Sequence, residues 1–335
     1  MSLEIPKTLD LEEKVFSIHN EELFRTIALE VYHFQFDNNP LYKAYCKALG
    51  KIPGKVSLPE HIPFLPISFF KSHQVKTSDF IPELVFESSG TTGSVSSKHL
   101  VKSSALYEIS FLTAFNKFFG NPDEYCILGL LPSYLERGSS SLVYMVDHLI
   151  KRSGHTESGF YLHDLKKLKE VLGSLEERRI KTILFGVSYA LLDLAASHPM
   201  KLQHTILVET GGMKGRKKEI SKQELFDELK KAFSLENIFS EYGMTELLSQ
   251  AYAKNGLYTT PPWMKILLRE ESDPFQLIGQ MGKTGVINVI DLANLYSCSF
   301  IATDDAGRIH DNGIEVLGRI DRSDVRGCSL MLIPG

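Results

Sequence analysis

Five short clusters along this chain hold side chains able to do chemistry. The first, Glu87-Ser88-Ser89-Gly90-Thr91-Thr92-Gly93-Ser94, mixes hydroxyls with glycines. Such a loop can turn hydroxyls and backbone N–H groups towards an anion, and glycine lets the backbone come close to a phosphate. A plain surface loop has the same composition. Glu209-Thr210-Gly211-Gly212-Met213 comes next, after an apolar run. In Glu241-Tyr242-Gly243-Met244-Thr245-Glu246, a ring can stack on a base, a hydroxyl can reach a phosphate and a carboxylate can hold Mg2+. Thr303-Asp304-Asp305-Ala306-Gly307 and Gly318-Arg319-Ile320-Asp321-Arg322 complete the set. There a carboxylate can accept two ribose hydroxyls, and an arginine can bridge ribose and phosphate. Hairpin turns with solvated charges, or a Tyr-Gly turn before a helix, would read alike.

Two competing motifs fail on single residues. Gly282-Lys283-Thr284 ends like a Walker A loop, but Leu277 stands where its first glycine is needed. Gly186-Val187-Ser188-Tyr189-Ala190 approximates a nucleophile elbow, with Asp304 or Asp305 and then His310 in hydrolase order. Its second glycine is Ala190, and the segment equally suits a strand-to-helix turn capped by Ser188. Cys46, Cys126, Cys298 and Cys328 form no CxxC pair, so neither a disulfide framework nor a zinc site is expected. The histidines are scattered, with no HExxH.

The elements that must position these clusters are legible in outline. The chain has 335 residues, 43% of them apolar, with a formal charge of −4. That is enough for one or two folded domains, and the near-neutral balance argues against nucleic acid as a partner. No apolar run is long enough to span a membrane, and the acidic N-terminus does not read as a secretory signal. A cytoplasmic protein is expected. Residues 10–50 read as helix, with Leu23, Phe24, Ile27, Ala28 and Val31 at helical spacing, and a proline-punctuated irregular stretch follows. Beyond residue 80, the runs LVF (84–86), YCILGLL (125–131), TILFGV (182–187) and TILVE (205–209) read as buried strands. Between them lie amphipathic helices, one presenting Ala105, Ile109, Leu112, Phe115 and Phe119, another Leu225, Leu229 and Ala232. The last 75 or so residues read as short strands and tight turns. The expectation is an α/β fold with a mainly parallel sheet and a C-terminal antiparallel β subdomain. Residues 1–80 form a helical segment on the core, 81–255 the α/β core and 256–335 the β subdomain.

In order, the five clusters resemble the adenylate-forming superfamily of acyl-CoA synthetases, luciferases and peptide-synthetase adenylation domains. Ser88, Ser89, Gly90, Thr91, Thr92 and Gly93 match its phosphate loop, and Gly211-Gly212 the segment lining the adenine pocket. Tyr242, Gly243, Thr245 and Glu246 match the motif whose tyrosine stacks on adenine, threonine meets the α-phosphate and glutamate binds Mg2+. Thr303-Asp304 matches the ribose-binding (S/T)GD motif, and Gly318-Arg319-Ile320-Asp321 the GRxD hinge. Three departures stand out. The loop continues Ser94-Val95-Ser96-Ser97-Lys98, which displaces its lysine by two positions. The ribose motif has no glycine between Thr and Asp. The superfamily's small C-terminal domain, with its catalytic lysine, has no counterpart after Asp321, and the last 52 residues contain no lysine.

That pattern is similar to the acyl-protein synthetase (LuxE-type) family, as are residues 65–77, residues 131–145 and Arg326-Gly327-Cys328-Ser329. The resemblance implies activation of a long-chain fatty acid with ATP and Mg2+, then acyl transfer to Cys328 and onward to a partner reductase or other acceptor protein. Lys98, beside the phosphate loop, is the chosen substitute for the absent lysine, with Lys214 and Arg216 as alternatives. The position of residues 184–191 and the loop 132–141 implies the walls of the acyl pocket. Two other readings remain open: an acyl- or aryl-CoA ligase with CoA as acceptor, and a nucleotide-binding pseudoenzyme.

Overall fold

The N-terminal helices are set by two asparagines. Helix α1 spans Lys7–Phe16, α2 Glu21–Asn38 and α3 Pro40–Ala48. The Asn20 side chain accepts the Leu23 N–H and the Asn39 side chain the Tyr42 N–H, each cap worth about 1 kcal/mol. The computed structural model describes residues 7–88, 95–132, 138–211 and 220–320. The prolines that follow exclude a long helix, and the chain instead makes a two-residue strand β1 (Leu65–Pro66) and a single turn α4 (Phe69–Ser72).

The strands β2 (Leu84–Glu87) and β3 (Lys98–Val101) form an antiparallel hairpin of their own. LVF is therefore not a buried strand of the main sheet, and Val85 is 38% exposed. The strand after the glycine-rich loop lacks an apolar run and so carries no strand signal in the sequence. Then come α5 (Ser104–Phe119), β4 (Cys126–Leu130), α6 (Ser141–Ser153), β5 (Gly159–Phe160) and α7 (Leu165–Glu177). They are followed by β6 (Thr182–Gly186), α8 (Ser188–Ser197), β7 (Thr205–Glu209), α9 (Lys222–Phe233) and β8 (Phe239–Tyr242). The remaining strands are β9 (Ala251–Lys254), β10 (Leu257–Thr259), β11 (Met264–Arg269), β12 (Leu277–Ile278), β13 (Thr284–Asp291), β14 (Phe300–His310) and β15 (Gly313–Arg319).

The fold is α/β, as the alternation predicts. Strands β8-β7-β6-β4-β5 run parallel, with α5 and α6 on one face and α7 to α9 on the other. From β8 the sheet continues without a break through β9, β10, β15, β14, β13, β11 and β12, all antiparallel. Among the described residues, no helix is long and apolar enough to cross a membrane.

Helix α5 buries a different stripe from the apolar one. Leu106, Tyr107, Ser110, Phe111, Ala114 and Phe115 face inward, while Ile109 is 49% exposed. Polar partners decide this: the Tyr107 hydroxyl donates to the Ser141 carbonyl at 3.0 Å, and Ser110 meets the Ser249 hydroxyl at 3.1 Å.

The segment between β13 and β14 is the densest polar region. The fully buried Asp291 carboxylate accepts four bonds: the Leu248 and Ser249 N–H groups, the Ser249 hydroxyl and the Ala293 N–H. Burial still pushes its carboxyl up to about 6. Asn294 accepts the Leu248 N–H and donates to the Glu246 and Cys298 carbonyls. Gln35 on α2 reaches across to the Asn294 and Leu295 carbonyls and to the Ser299 hydroxyl, and accepts the Ser299 N–H. Asn39 and Thr77 both donate to the Ser297 carbonyl. In Asp291→Asn the new amide donor faces N–H and O–H donors. The substitution should cost about 2–4 kcal/mol in urea unfolding at pH 7, and a change under about 0.5 kcal/mol would contradict the bracing role.

Candidate functional site

Tyr242, the last residue of β8, is 9% exposed. Its ring lies edge-on to Tyr258, centroids 5.8 Å apart, and its hydroxyl donates to Asp305 at 2.8 Å. Asp305 is paired in register with Arg319 on the adjacent strand, with Nε and Oδ1 3.8 Å apart. Side chains alternate along a strand, so Thr303 and Asp305 share a face and Asp304 takes the other. Thr303 is fully buried; its hydroxyl donates to the Ile287 carbonyl and accepts the Asp305 N–H. The structure thus brings Asp305, not Asp304, to Tyr242 and Arg319. The signal was present in the sequence, because the aspartate of (S/T)GD is its third residue and Asp305 is third counting from Thr303.

Arg269 holds that strand end in place. Only 5% exposed, it donates to the Ile287 carbonyl, the Asn288 side chain and the Thr303 carbonyl. It thereby braces the bulge between Val286 and Asn288 beneath Thr303. Lys222, at the start of α9, donates to the Tyr258 hydroxyl at 2.7 Å, and burial lowers its ammonium pKa. Neither residue belongs to a short motif, and the sequence analysis passed over both.

Gly243, Met244, Thr245 and Glu246 form a turn after β8. The β2–β3 hairpin lies against it. Ser88 closes the neck of the glycine-rich loop: its N–H donates to the Ser97 carbonyl at 3.1 Å, and its hydroxyl accepts the Ser97 N–H at 2.9 Å. Ser89, Gly90, Thr91, Thr92 and Gly93 lie outside the described residues, as do Gly212, Lys214, Arg216, Asp321 and Cys328. The Glu246 carboxyl, beside Ser97, is 4% exposed, and burial raises it above the usual carboxylate range. His99, two residues on, is 1% exposed, with Nδ1 2.9 Å from the Thr245 carbonyl and Nε2 2.9 Å from the Ser297 hydroxyl. The carbonyl can only accept, so Nδ1 carries the proton and Nε2 accepts from the serine. Ser97 and His99 share one face of the hairpin and Lys98 takes the other. Lys98 is 61% exposed and pairs with Glu87 at 3.1 Å, and the structure does not bring it to Thr245 and Glu246.

Gly211 follows β7 at φ +75°, where a side chain would be strained. Its N–H donates to buried Glu209, which also accepts the Ser188 hydroxyl at 2.6 Å. Ser188 is therefore committed to a carboxylate. It makes neither the helix cap nor a serine–histidine pair, and the hydrolase reading falls.

The site can seat a planar ring against Tyr242, a diol at Asp305 and anions near the neck of the glycine-rich loop. Among the described residues, no cluster of three or more His, Cys, Asp or Glu side chains could hold a metal. A single buried carboxylate such as Glu246 does fit Mg2+, which binds through one or two carboxylates while phosphates and water complete its shell.

No protein-family model and no curated protein sequence matches the chain. Solved structures do match it. A 2-hydroxyisobutyryl-CoA ligase, in an open conformation with 2-HIB-AMP and CoA, superposes with a TM-score of 0.63 at 10% identity, covering 91% of this chain and 77% of that one. CmiS6 gives 0.51 at 16% identity, over 72% and 61%. A fatty acyl-adenylate ligase from L. pneumophila, with acyl adenylate and pyrophosphate, gives 0.50 at 14% identity, over 82% and 57%. The chain spans between 57% and 77% of the lengths of these proteins. At such identities the likeness is one of fold, and the fold is that of adenylate-forming ligases.

The His99 link should show in stability. Burial lowers its pKa to about 4, so the folded protein keeps the ring neutral while the unfolded chain protonates it near 6.5. Stability from this group is full above pH 6.5 and lost as pH falls towards 4, by roughly 3 kcal/mol. Urea unfolding between pH 7 and 4.5 should show a smaller loss in His99→Gln than in the parent chain. Equal losses would contradict the assignment.

Proposed function

We propose that this chain, which carries the fold of the adenylate-forming ligases, activates a carboxylic acid with ATP and passes the acyl group to a thiol. The observation that carries this reading is the convergence of Tyr242, Asp305 and Arg319 beside the Thr245–Glu246 turn, at the neck of a hydroxyl- and glycine-rich loop. Those side chains supply a stacking ring, a diol acceptor, a cation, a hydroxyl and a carboxylate, the set a nucleoside triphosphate asks for.

A carboxylate is a poor acyl donor because oxide is its leaving group. Its oxygen attacks the α-phosphorus of ATP, the bond to pyrophosphate breaks and an acyl-adenylate forms. The step gathers negative charge, so donors fixed before the reaction should provide most of the stabilisation. Tyr242 stacks on the base; Asp305 exchanges the Tyr242 hydroxyl for the ribose hydroxyls; Thr245 donates to the α-phosphate. Glu246 would hold Mg2+, which offsets phosphate charge. A surface ion pair is worth about 1 kcal/mol or less, so Lys98 can leave Glu87 for the triphosphate at little cost.

Attack of a thiolate on the anhydride carbonyl then releases AMP and leaves a thioester. Cys46, Cys126 and Cys298 are buried, and burial pushes each thiol up, Cys46 to about 12, so none is a ready nucleophile. That leaves Cys328 among the four cysteines. On the resemblance to acyl-protein synthetases, it carries the acyl group towards a reductase or another acceptor protein. CoA is the alternative acceptor, favoured by the CoA complex of the 2-hydroxyisobutyryl-CoA ligase. A fatty acid is the substrate on that resemblance alone, and the residues around Glu241 favour a more polar one.

The protein should catalyse carboxylate-dependent exchange of pyrophosphate into ATP, and absence of exchange over a broad acid panel would refute the activity. Within that assay, Asp305→Asn should raise the KM for ATP at least tenfold, by loss of a charged hydrogen bond, while Asp304→Asn changes it less than threefold. The reverse order would return the ribose role to Asp304. Labelled acid plus ATP should mark the protein through a hydroxylamine-sensitive bond that Cys328→Ser abolishes. Undiminished labelling would sink that acceptor, and thioester formed only on added CoA would favour the ligase alternative.

A further inference from the structure

Glu241 precedes Tyr242 on β8 and so faces the other side of the sheet, towards Tyr107 on α5 and Tyr252 on β9, both of which feel its charge. It is 9% exposed. Its Oε1 lies 2.5 Å from the point where a β-carbon on Gly243 would stand, and Gln250 brings Cγ within 3.4 Å of the same point. The two side chains therefore converge in the space that Gly243 leaves open.

The orientation of Gln250 follows from its neighbours. Tyr107 gives its hydroxyl proton to the Ser141 carbonyl, so its oxygen can accept from Gln250 Nε2, 3.5 Å away. Gln250 Oε1 then points away from Tyr107. It is buried, on a side chain only 4% exposed, and finds no hydrogen-bond partner among the described residues. A buried acceptor left unsatisfied costs about 1–3 kcal/mol, and a carboxyl beside it adds to the cost. Burial and the neighbouring Glu209 push the Glu241 carboxyl up to about 8. Among the described residues, Glu241 and Gln250 Oε1 stand side by side with no cation bonded to either, an arrangement that a positively charged donor would complete.

The pocket also lies where the acid belongs. Ser141, bonded to Tyr107, ends the loop 132–141 that the resemblance sets against the acyl group, and Gly243 separates Glu241 from the Thr245–Glu246 turn. An alkyl chain laid there would bury Glu241 and Gln250 Oε1 against hydrocarbon. An ammonium group would answer both.

We propose that the acid activated by this chain carries an amino group, bound by Glu241 and Gln250 over Gly243. This rests on the acid-activating reading above, of which it names the substrate class. In the pocket the ammonium donates to the Glu241 carboxylate and to Gln250 Oε1; a Glu241 still protonated gives its proton to solvent as the cation binds.

The test is pyrophosphate exchange by the full chain with matched pairs of acids: hexanoate and 6-aminohexanoate, propanoate and alanine, benzoate and aminobenzoate. In at least one pair, kcat/KM for the amino member should exceed that for its parent tenfold or more, since a site built to bind a donor rejects the analogue that lacks it. Glu241→Gln and Gln250→Leu should each reduce that ratio at least tenfold. The ratio is internal to each variant, so a smaller folded fraction cancels. Exchange with parent acids and no gain for any amino partner overturns the inference and leaves the adenylation reading standing. A ratio unmoved in both variants overturns the assignment of Glu241 and Gln250. No exchange with either member of any pair overturns both readings.

Discussion

Everything at the site hangs on the buried polar segment between β13 and β14. Asp291 and Asn294 capture the backbone of Leu248, Ser249 and Glu246, so the turn that carries Thr245 and Glu246 is fixed from its far side. His99 fixes the same turn from the hairpin side while holding Ser297. Gln35, Asn39 and Thr77 tie the N-terminal third of the chain into the same network. A buried carboxylate without these donors would cost several kcal/mol, so the segments that supply them are held to one geometry. Three stretches of chain far apart in sequence are thereby positioned by one set of bonds.

The join between the parallel and antiparallel halves of the sheet gives the site its shape. Strand β8 is the last parallel strand, and its end carries Glu241 and Tyr242 on opposite faces. One face meets Tyr258, Asp305 and Arg319 from the antiparallel half, and the other meets α5 and Gln250. On the proposed reading, the nucleotide and the acid would meet opposite faces of one strand, through two adjacent residues. Arg269 braces the antiparallel half at the bulge between Val286 and Asn288, by donating to the Ile287 carbonyl and to that of Thr303, two residues before Asp305.

Much of this was legible in the sequence, and the failures have physical causes. Short motifs with dense chemistry announced the site, and the strand–helix alternation announced the fold. Apolar periodicity on α5 finds Phe115, Leu112 and Phe119, which do pack on the core, but it misplaces Ile109 and leaves out Tyr107 and Ser110, whose buried hydrogen bonds a hydrophobic pattern cannot count. The LVF strand was placed in the main sheet because its partner, Lys-His-Leu-Val, carries no apolar run. The missing glycine of the Thr303-Asp304-Asp305 cluster hides which aspartate lies beside Tyr242, and the structure puts Asp305 there. Gln35, His99, Arg269 and Asp291 were invisible for a different reason: apart from Ala293 beside Asp291, the partners named here lie 18 to 264 positions away, and only the folded chain brings them together. Nor does the sequence show the cross-strand pairing that sets Lys98 against Glu87, on the opposite face of the hairpin from Ser97 and His99.

Acid activation at this site requires that a carboxylate oxygen of the acid becomes bonded to the α-phosphorus. The direct measurement uses acid labelled with 18O in its carboxylate, turned over with ATP and a thiol acceptor, with the released AMP weighed by mass spectrometry. The AMP should carry one 18O atom in its phosphate. Unlabelled AMP, or ADP as the nucleotide product, would contradict it.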